Sequence, residues 1–407
     1  VRVMGKGAKL AVKAISDYTE LKISESSLYY NDYTIQSKGM CDYIVSRRGG
    51  YYKLRMGGYV KETSVEETDL FPSDKIKIEQ VTVSSSANST LIRLKCKDNP
   101  VYNGCIDETG RFVVTFYNID ANSAPEATIE KNPLIKSAEI VRLDDKIRYS
   151  FELYDILNFY GFDLFYEDGY TVVTLKNPIS IDLNSDFPLT GIKVHLDAGH
   201  GGNDPGALGA MSGSATYNEK DVNLAIVLKA AEYLRSLGAD VILTRESDET
   251  VELMSRVRYL EENNPDLFIS IHQNSMDYSN DPRAVHGTLA LWCMDSGRLL
   301  SAAVGKEVSR ALCRNYEGDR YQMLAVCRNP KFPSALIEVG YMTSVEEYEQ
   351  ITKSSEIEKA ARGIADGVLQ YFEKQGEFIK LSDEKSNAED AEKTNTKDSL
   401  SDGQTLS

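Results

Sequence analysis

The sequence predicts a multidomain protein in which small all-β domains at the N-terminus precede an α/β domain with a mostly parallel, twisted sheet and flanking helices. Two observations lead to this prediction. Short, aromatic-rich strand patterns fill residues 1–178, and strands alternate with amphipathic helices after residue 190. A chain of 407 residues has room for about two to four domains, and its 42% of apolar residues is enough for buried cores.

The first predicted domain covers residues 1–70. Its segments Tyr51–Arg55 and Tyr59–Glu62 alternate apolar and polar side chains, and Gly57 and Gly58 separate them. Because glycine accepts positive φ, this arrangement predicts a β-hairpin. The stretch resembles a small SH3-like barrel of the bacterial type.

Residues 75–178 form the second predicted domain, a compact β-sandwich. The segment 147–153 carries an apolar side chain at every second position, which is typical of a half-buried strand. The six cysteines form no CxxC pair, which argues against a cysteine-rich zinc site or a redox motif. Cys96 and Cys105 lie at the ends of a possible hairpin, and the sequence leaves open whether they form a disulfide or stay reduced as small apolar residues.

A linker over 179–190, in which Asp, Asn, Ser and Pro are interleaved, leads into the α/β domain at 191–374. The predicted strands of this domain are 192–196, 241–243, 267–271, 287–293 and 335–339. The predicted helices are 218–237, 250–263, 299–313 and 357–372. Strand–helix alternation of this kind implies a mostly parallel sheet.

The C-terminal segment 379–407 has no aromatic residue and consists mostly of Ser, Asn, Thr, Asp, Glu and Lys. It cannot bury enough apolar area to offset backbone entropy, so we predict a disordered acidic tail. The net charge of −16 repels nucleic acid and anionic lipid, which makes neither an expected partner. No apolar run reaches the ~18–20 residues of a membrane span.

Groups suited to metal binding or acid–base chemistry follow three of the predicted strands of the α/β domain. His200 comes after a glycine-rich turn behind the first strand, His272 directly follows another, and Glu338 follows the apolar run Ala335-Leu336-Ile337 of a third. Ligands of open α/β sheets bind at the carboxyl ends of the strands, so these side chains are expected at one edge. Glu219 opens the helix that Asn218 caps. Two histidines and one carboxylate make a catalytic zinc set with a position left for water.

These residues lie in five sequence blocks that closely resemble the zinc-dependent N-acetylmuramoyl-L-alanine amidases. The resemblance covers roughly residues 191–373, and the blocks occur in the family's order. They are HLDAGHGGNDPGALG at 195–209, Asn218-Glu219-Lys220, Thr244-Arg245, Ser270-Ile271-His272-Gln273-Asn274 and Ile337-Glu338-Val339-Gly340-Tyr341. Where the family often continues with Phe-Leu-Ser-Asn, this chain has Tyr341-Met342-Thr343-Ser344.

The resemblance implies that His200, Glu219 and His272 bind Zn²⁺ and that Glu338 is the catalytic carboxylate. The implied reaction is hydrolysis of the amide bond between N-acetylmuramic acid and L-alanine, with peptidoglycan as the partner. Zinc lowers the pKa of a bound water to about 7. Glu338 is then expected to act as general base and afterwards as general acid toward the leaving amine. Arg245 and Asn274 are candidates for the surroundings of the ligands.

The resemblance carries further expectations. Residues 75–178 resemble the accessory β-domain that often precedes envelope amidases, which implies a targeting role. The chain begins at Val1, so either a signal segment has been removed or the chain was trimmed, and the expected location is secreted or at the cell envelope. The short stretch between His272 and Gly287 predicts that the enzyme lacks the long helical plug of some relatives.

Two other functions remain open at this point. One is a different zinc amidohydrolase or peptidase that acts on cell-wall peptides. The other is a non-catalytic wall-binding protein, whose sequence mark is a lost metal ligand or a lost Glu338, and this chain retains all four residues. His195 and His286 are expected to be ordinary core or surface residues.

Overall fold

The computed structural model describes residues 11–16, 19–22, 34–36, 38–56, 58–69, 75–143, 146–156, 159–209, 217–277 and 286–401, with only the backbone described for 34–36 and 381–401. The chain divides into two compact units. One comprises Val1–Ile156, Phe162–Asn177 and Ser382–Ser407, and the other comprises Leu157–Gly161 and Pro178–Leu381.

The first seven strands of the all-β unit pair into one sheet with the order β3-β2-β6-β5-β4-β1-β7. They are β1 (Ala11–Ala14), β2 (Thr19–Lys22), β3 (Thr34–Gln36), β4 (Cys41–Arg48), β5 (Tyr51–Leu54), β6 (Tyr59–Lys61) and β7 (Val65–Thr68). The predicted hairpin is confirmed, since β5 and β6 pair antiparallel with Tyr52 opposite Val60. The SH3-like assignment of 1–70 stays a prediction.

Nine further strands of this unit form a four-stranded sheet, β10-β11-β14-β13, and a five-stranded sheet, β12-β8-β9-β16-β15. They are β8 (Ile78–Ser85), β9 (Ser89–Cys96), β10 (Val101–Ile106), β11 (Phe112–Tyr117), β12 (Thr128–Ile129), β13 (Ile135–Leu143), β14 (Lys146–Leu153), β15 (Phe162–Glu167) and β16 (Tyr170–Lys176). The rings of Phe112 and Phe162 pack 5.0 Å apart between the two sheets. Cys96 is buried and Cys105 is exposed, and no disulfide joins them.

The second unit is an α/β domain whose six-stranded sheet has the order β18-β17-β19-β22-β20-β21. Its strands are β17 (Lys193–Ala198), β18 (Asp240–Leu243), β19 (Leu267–Asn274), β20 (Thr288–Trp292), β21 (Tyr316–Tyr321) and β22 (Ser334–Tyr341). Its helices are α1 (Glu219–Ser236), α2 (Leu253–Asn263), α3 (Asp295–Ala311), α4 (Val345–Ile351) and α5 (Ser354–Ser401). Neither β21 nor α4 was expected from the sequence.

The sheet is mostly parallel, as predicted, and the exceptions are β20, which pairs antiparallel with β22, and β21, which runs parallel to β20. Strands β17, β19 and β22 are parallel neighbours in the middle of the sheet. Their carboxyl ends therefore meet at one edge. The central residues Val194, Ile269 and Ile337 are fully buried, so the strands that carry the candidate site form the centre of the core.

Helix α1 begins at Glu219, directly after its capping residue Asn218. Asn218 and Asp221 form a capping box, which satisfies two amide groups that the first turn of a helix leaves unpaired. Gly238, with φ of 93°, follows the helix end in a conformation that favours glycine. Val227 and Leu234 on the predicted apolar face are buried. This register places Glu219 in the first turn, at the edge of the sheet.

Two segments differ from expectation. The predicted linker 179–190 has no helix or strand, but Leu189 is fully buried in the core of the α/β unit. Helix α5 runs to Ser401, so most of the segment 379–407 is helical rather than disordered. Its Ala, Glu and Lys residues favour helical backbone even without burial, which the argument from apolar area did not consider. Among the described residues, no helix combines the length and apolar character needed to cross a membrane.

Candidate metal centre

His200 lies on a tight turn two residues beyond β17. Its φ of 62° is a left-handed conformation that is uncommon for a residue with a side chain. Gly199 before it leaves no room for a side chain, since a Cβ there would lie 2.2 Å from the His272 ring. The turn therefore brings the two histidines together, and their ring centroids are 4.9 Å apart.

Two buried arginines, Arg245 and Arg256, donate hydrogen bonds to backbone carbonyls of this turn. Arg245 donates from Nε to the carbonyl of Ala198 at 3.0 Å and from Nη2 to the carbonyl of Lys220 at 2.7 Å. Arg256 donates from Nη2 to the carbonyl of His200 at 2.6 Å. Arg245 thus contacts backbone next to the predicted ligands rather than the ligands themselves, and it links the turn to the start of α1.

Arg256 also forms a buried ion pair with Asp197 in β17. The second carboxylate oxygen of Asp197 accepts a hydrogen bond from Ser270 Oγ at 2.7 Å. Burial raises the pKa of Asp197, but the charge of Arg256 and the Ser270 bond outweigh it and hold the pKa below its usual range. The turn that carries His200 is therefore fixed by a charged pair inside the core.

Three side chains converge at this edge of the sheet. Glu219 Oε2 lies 3.2 Å from His200 Nε2, and Glu219 Oε1 lies 2.8 Å from His272 Nδ1. One nitrogen or oxygen atom from each of the three lies within 4.8 Å of the other two, a spacing that can hold one metal ion. The structure thus brings the three predicted ligands together.

Glu219 is buried and its carboxylate is held by backbone amides as well. Ala207 N donates to Oε2 at 2.7 Å, and Gln273 N donates to Oε1 at 3.1 Å. Burial raises the pKa of Glu219, but the hydrogen bonds with His200 and His272 more than offset this and hold the pKa well below its usual range. The carboxylate is therefore ionised in a buried position.

The charge around the two histidines shows that the site favours a cation. Burial lowers the pKa of His200, but hydrogen bonds and charge from Glu219 and Asp204 raise it overall to about 9. The pKa of His272 is also raised despite burial, through Glu219 and Glu338. A site that draws protons onto these half-buried imidazoles equally suits a divalent cation, and two imidazoles with one carboxylate are ligands that zinc prefers.

Glu338 lies next to this cluster, opposite His272 in the parallel pairing of β19 and β22. Its Oε2 atom is buried without a hydrogen-bond partner. Burial raises the pKa of this carboxyl to about 7, which the nearby His272 partly opposes. Strand β19 extends further than predicted, so His272 lies within it rather than beyond it, and Glu338 lies within β22, as the predicted strand 335–339 implied.

The pairing of β19 and β22 shifts directly after these residues. His272 is opposite Glu338, but Asn274 is opposite Tyr341, so β22 contains one extra residue in a β-bulge. The Asn274 side chain accepts a hydrogen bond from the amide of Ser275 at 2.8 Å. Its expected place beside the ligands remains a prediction.

The other two histidines occupy the ordinary positions expected for them. His195 is fully buried in β17, its Nε2 lies 3.0 Å from Thr244 Oγ1, and burial lowers its pKa to about 4. His286 is exposed just before β20. Residues 278–285, on which the predicted absence of a plug depends, lie outside the described residues.

Sequence reasoning missed two residues that support the cluster, Asp204 and Arg256. Asp204 Oδ2 lies 2.8 Å from His200 Nδ1, and its position four residues after His200 in the glycine-rich loop was an available signal. Arg256 gave no such signal, because its contacts depend on how α2 packs against β17.

A His–Glu–His cluster that could hold a metal ion lies beside the unpartnered Oε2 atom of Glu338, at the carboxyl edge of an α/β sheet, an arrangement typical of metal-dependent hydrolases. A sequence model of the N-acetylmuramoyl-L-alanine amidase family matches residues 194–370. The all-β unit lies outside this match. The chain belongs to the N-acetylmuramoyl-L-alanine amidases and is thus a hydrolase.

Two relatives and one solved structure are similar to this chain. The germination-specific N-acetylmuramoyl-L-alanine amidase of Bacillus subtilis is 32% identical over 213 residues, which are 47% of this chain and 84% of the relative. The probable cell wall amidase LytH of Staphylococcus epidermidis is 28% identical over 270 residues, which are 65% of this chain and 86% of the relative. The catalytic domain of CwlV from Bacillus (Paenibacillus) polymyxa is 32% identical, with a TM-score of 0.41, and the match covers 45% of this chain and 98% of that domain.

Proposed function

We propose that this chain hydrolyses the amide bond between N-acetylmuramic acid and L-alanine in peptidoglycan, with zinc held by His200, Glu219 and His272. The observation that carries the proposal is the Glu338 carboxylate. Its Oε2 atom is buried and unpartnered beside a cluster that can hold a metal ion. An uncompensated polar atom in a buried position is costly, which supports a functional rather than a structural role.

The zinc ligands and Glu338 have different roles in the proposed reaction. A zinc ion, when bound, supplies Lewis acidity toward water and the scissile carbonyl. Glu338 accepts the proton of the attacking water and passes it to the nitrogen of L-alanine as the C–N bond breaks. A carboxyl with a pKa of about 7 both takes up and releases a proton near neutral pH. His200 and His272 fix the geometry and take no part in proton transfer.

The relatives and the additional unit suggest where the enzyme acts. A cell wall amidase among the relatives supports a secreted or envelope location. The all-β unit, which lies outside the family match, is proposed to bring the catalytic unit to the wall. Peptidoglycan is then both the substrate and the surface to which the protein binds.

The test uses the full chain and purified sacculi. Mass spectrometry of the products is expected to show free stem peptides that begin with L-alanine, and a chelator is expected to stop their release until zinc is restored. Glu338→Gln, which keeps the shape but removes the charge, should bind zinc normally and release no peptide. Glu232→Gln, at an exposed carboxylate on α1, is the matched control and should behave as wild type.

Each alternative has its own outcome in this experiment. Cleavage within the peptide, with the bond to L-alanine intact, would identify a different zinc amidohydrolase or peptidase. A zinc-loaded wild-type protein that binds sacculi without releasing peptide would identify a wall-binding protein. A Glu338→Gln variant with near wild-type activity would refute the assigned role of Glu338.

A further inference from the structure

Asn223 lies one helical turn after Glu219 in α1, so the two side chains are on the same face of the helix. Its Nδ2 atom donates to Glu219 Oε1 at 3.2 Å and to the carbonyl of Gly199 at 3.2 Å. Asn223 is fully buried. It therefore joins a proposed metal ligand to the turn that carries His200, from inside the core.

The orientation of this amide is fixed by Gln273 in β19. Because both neighbours of Asn223 Nδ2 are acceptor oxygens, this atom must be the nitrogen of the amide, and Oδ1 must face the other way. There Oδ1 accepts a hydrogen bond from Gln273 Nε2 at 3.1 Å. Exchange of nitrogen and oxygen in either amide would bring two acceptors together. The two amides thus form a chain of hydrogen bonds with one possible direction, from Gln273 through Asn223 to Glu219.

Gln273 contacts Glu219 by two routes. Its backbone amide donates directly to Glu219 Oε1 at 3.1 Å, whereas its side chain reaches the same carboxylate through Asn223. Gln273 is 2% exposed, and its Oε1 atom is buried without a hydrogen-bond partner. A buried polar atom without a partner is costly, so packing alone does not account for an amide at this position. The contribution of the side chain is the donation from Nε2 to Asn223.

We propose that Asn223 and Gln273 are positioning residues that hold the Glu219 carboxylate in place for the metal ion, and that Gln273 acts through Asn223. The inference rests on the proposed function, because that function assigns Glu219 to the metal. Hydrogen bonds from neighbouring groups fix the direction of a metal-binding side chain and strengthen metal binding. Neither amide is charged, so the two residues hold the carboxylate without neutralising the charge that attracts a cation.

A merely structural role for the two amides makes different predictions. A bond that only joins α1 to β19 would contribute to folding stability, and its loss would leave the affinity for metal unchanged. A positioning role predicts weaker metal binding by a protein that still folds. It also predicts that substitutions of Asn223 and Gln273 are not additive, since both act on one carboxylate through one contact.

The test uses the full chain and measures zinc affinity by competition with a chelator of known affinity. Urea denaturation of the metal-free protein measures folding stability beside it. Asn223→Leu, which keeps the size of the side chain but removes its donors, should weaken zinc binding about 10–100-fold. Gln273→Met keeps the backbone donor and should weaken zinc binding less, because Asn223 remains and loses only the group that orients it. The double variant should bind zinc as Asn223→Leu does.

Cobalt in place of zinc gives a spectroscopic readout, because Zn²⁺ is a d¹⁰ ion without d–d absorption and Co²⁺ is not. The cobalt spectrum of Asn223→Leu should differ from that of the wild type, since Glu219 is no longer held. Asn132→Ala is the matched control, because Asn132 is a buried amide of the all-β unit that hydrogen-bonds within residues 130–135. It should lower folding stability and change neither zinc affinity nor the cobalt spectrum.

Wild-type zinc affinity and a wild-type cobalt spectrum in Asn223→Leu would overturn the inference. Additive losses in the double variant would overturn the assignment that Gln273 acts through Asn223. If Asn223→Leu does not fold, Gln273→Met decides, and wild-type zinc affinity and spectrum in that variant would then overturn the inference. Weakened zinc binding in variants of a protein that releases no stem peptide would refute the proposed function and leave the positioning role intact.

Discussion

Asp204 Oδ2 lies 2.8 Å from His200 Nδ1, on the side of the imidazole remote from Glu219. This bond favours the neutral tautomer with the proton on Nδ1 and leaves the Nε2 lone pair facing the cluster. We expect Asp204→Ala to weaken zinc binding about 10–100-fold. Asp204→Asn keeps an acceptor oxygen, so its zinc affinity should fall much less than that of Asp204→Ala. Competition with a chelator of known affinity measures both, and wild-type affinity in Asp204→Ala would contradict this role.

Zinc binding is expected to release protons near neutral pH. In the metal-free protein the pKa of His200 is raised to about 9 and that of His272 is also raised, so the imidazoles carry protons that the metal must displace. The apparent zinc affinity should therefore rise with pH up to about 9 and level off above it. Titration calorimetry at pH 7 in buffers of different ionisation enthalpy measures the released protons. A binding heat that is the same in every buffer would count against the prediction.

Gly199 permits the close approach of His200 and His272. The Cβ of Gly199→Ala would lie 2.2 Å from the His272 ring, so the ring or the turn must move. We expect this single methyl group to reduce zinc content strongly and to abolish activity. Gly376→Ala in α5 is the control, since a Cβ there meets nothing within 4 Å. Metal analysis of both purified variants measures their zinc content. Full zinc occupancy in Gly199→Ala would show that the turn adapts to the added methyl group.

The buried pair of Arg256 and Asp197 should contribute to both stability and metal binding. Arg256→Met leaves the Asp197 carboxylate buried without its counter-charge, which is expected to cost about 3–5 kcal/mol of unfolding free energy. The variant also loses the hydrogen bond to the His200 carbonyl, so zinc should bind more weakly. Urea denaturation measures the first effect and chelator competition the second. Glu232→Gln, which breaks an exposed ion pair, should change stability by no more than about 0.5 kcal/mol.

His195 should make the catalytic unit sensitive to acid. Burial lowers its pKa to about 4, below the value of about 6.5 in the unfolded chain, so the unfolded state binds the additional proton. The stability that this histidine contributes is complete above pH ~6.5 and is lost as the pH falls toward ~4. At pH 4.5 the loss should reach about 2–3 kcal/mol.

Hydrogen exchange of the β17 amides between pH 7 and pH 4.5 measures this loss. His195→Gln cannot take up the proton. Between pH 7 and pH 4.5 its free energy of opening should therefore fall by about 2–3 kcal/mol less than that of the wild-type protein. Equal pH dependence in the two proteins would show that other groups cause the acid sensitivity.

The sequence was sufficient for the parts of the site that local patterns determine. His200, His272 and Glu338 each follow a run of apolar residues, and parallel strands place such positions at one edge. Glu219 was recognisable because a cap residue precedes it. The reversed direction of β20 and β21 was not recognisable, since strand direction depends on how the connection returns and not on the strand's own residues.

Other features lacked a local signal altogether. Strand β21 is half-exposed at the edge of the sheet and has no apolar alternation, and α4 is only seven residues long. The contact between Arg256 and Asp197 joins residues 59 positions apart and exists only after α2 packs on the sheet. Gln273 and Asn223 are likewise joined only by tertiary structure. These features arise from packing, which periodicity within a single segment does not report.

The β-bulge in β22 divides that strand into two stretches that can change independently. Before it, pairing with β19 fixes the alignment of Glu338 with His272. After it, Asn274 is opposite Tyr341, so the bulge separates Tyr341–Ser344 from the register that holds Glu338. Exchange of Tyr341–Ser344 is therefore expected to leave the alignment of Glu338 with His272 in place.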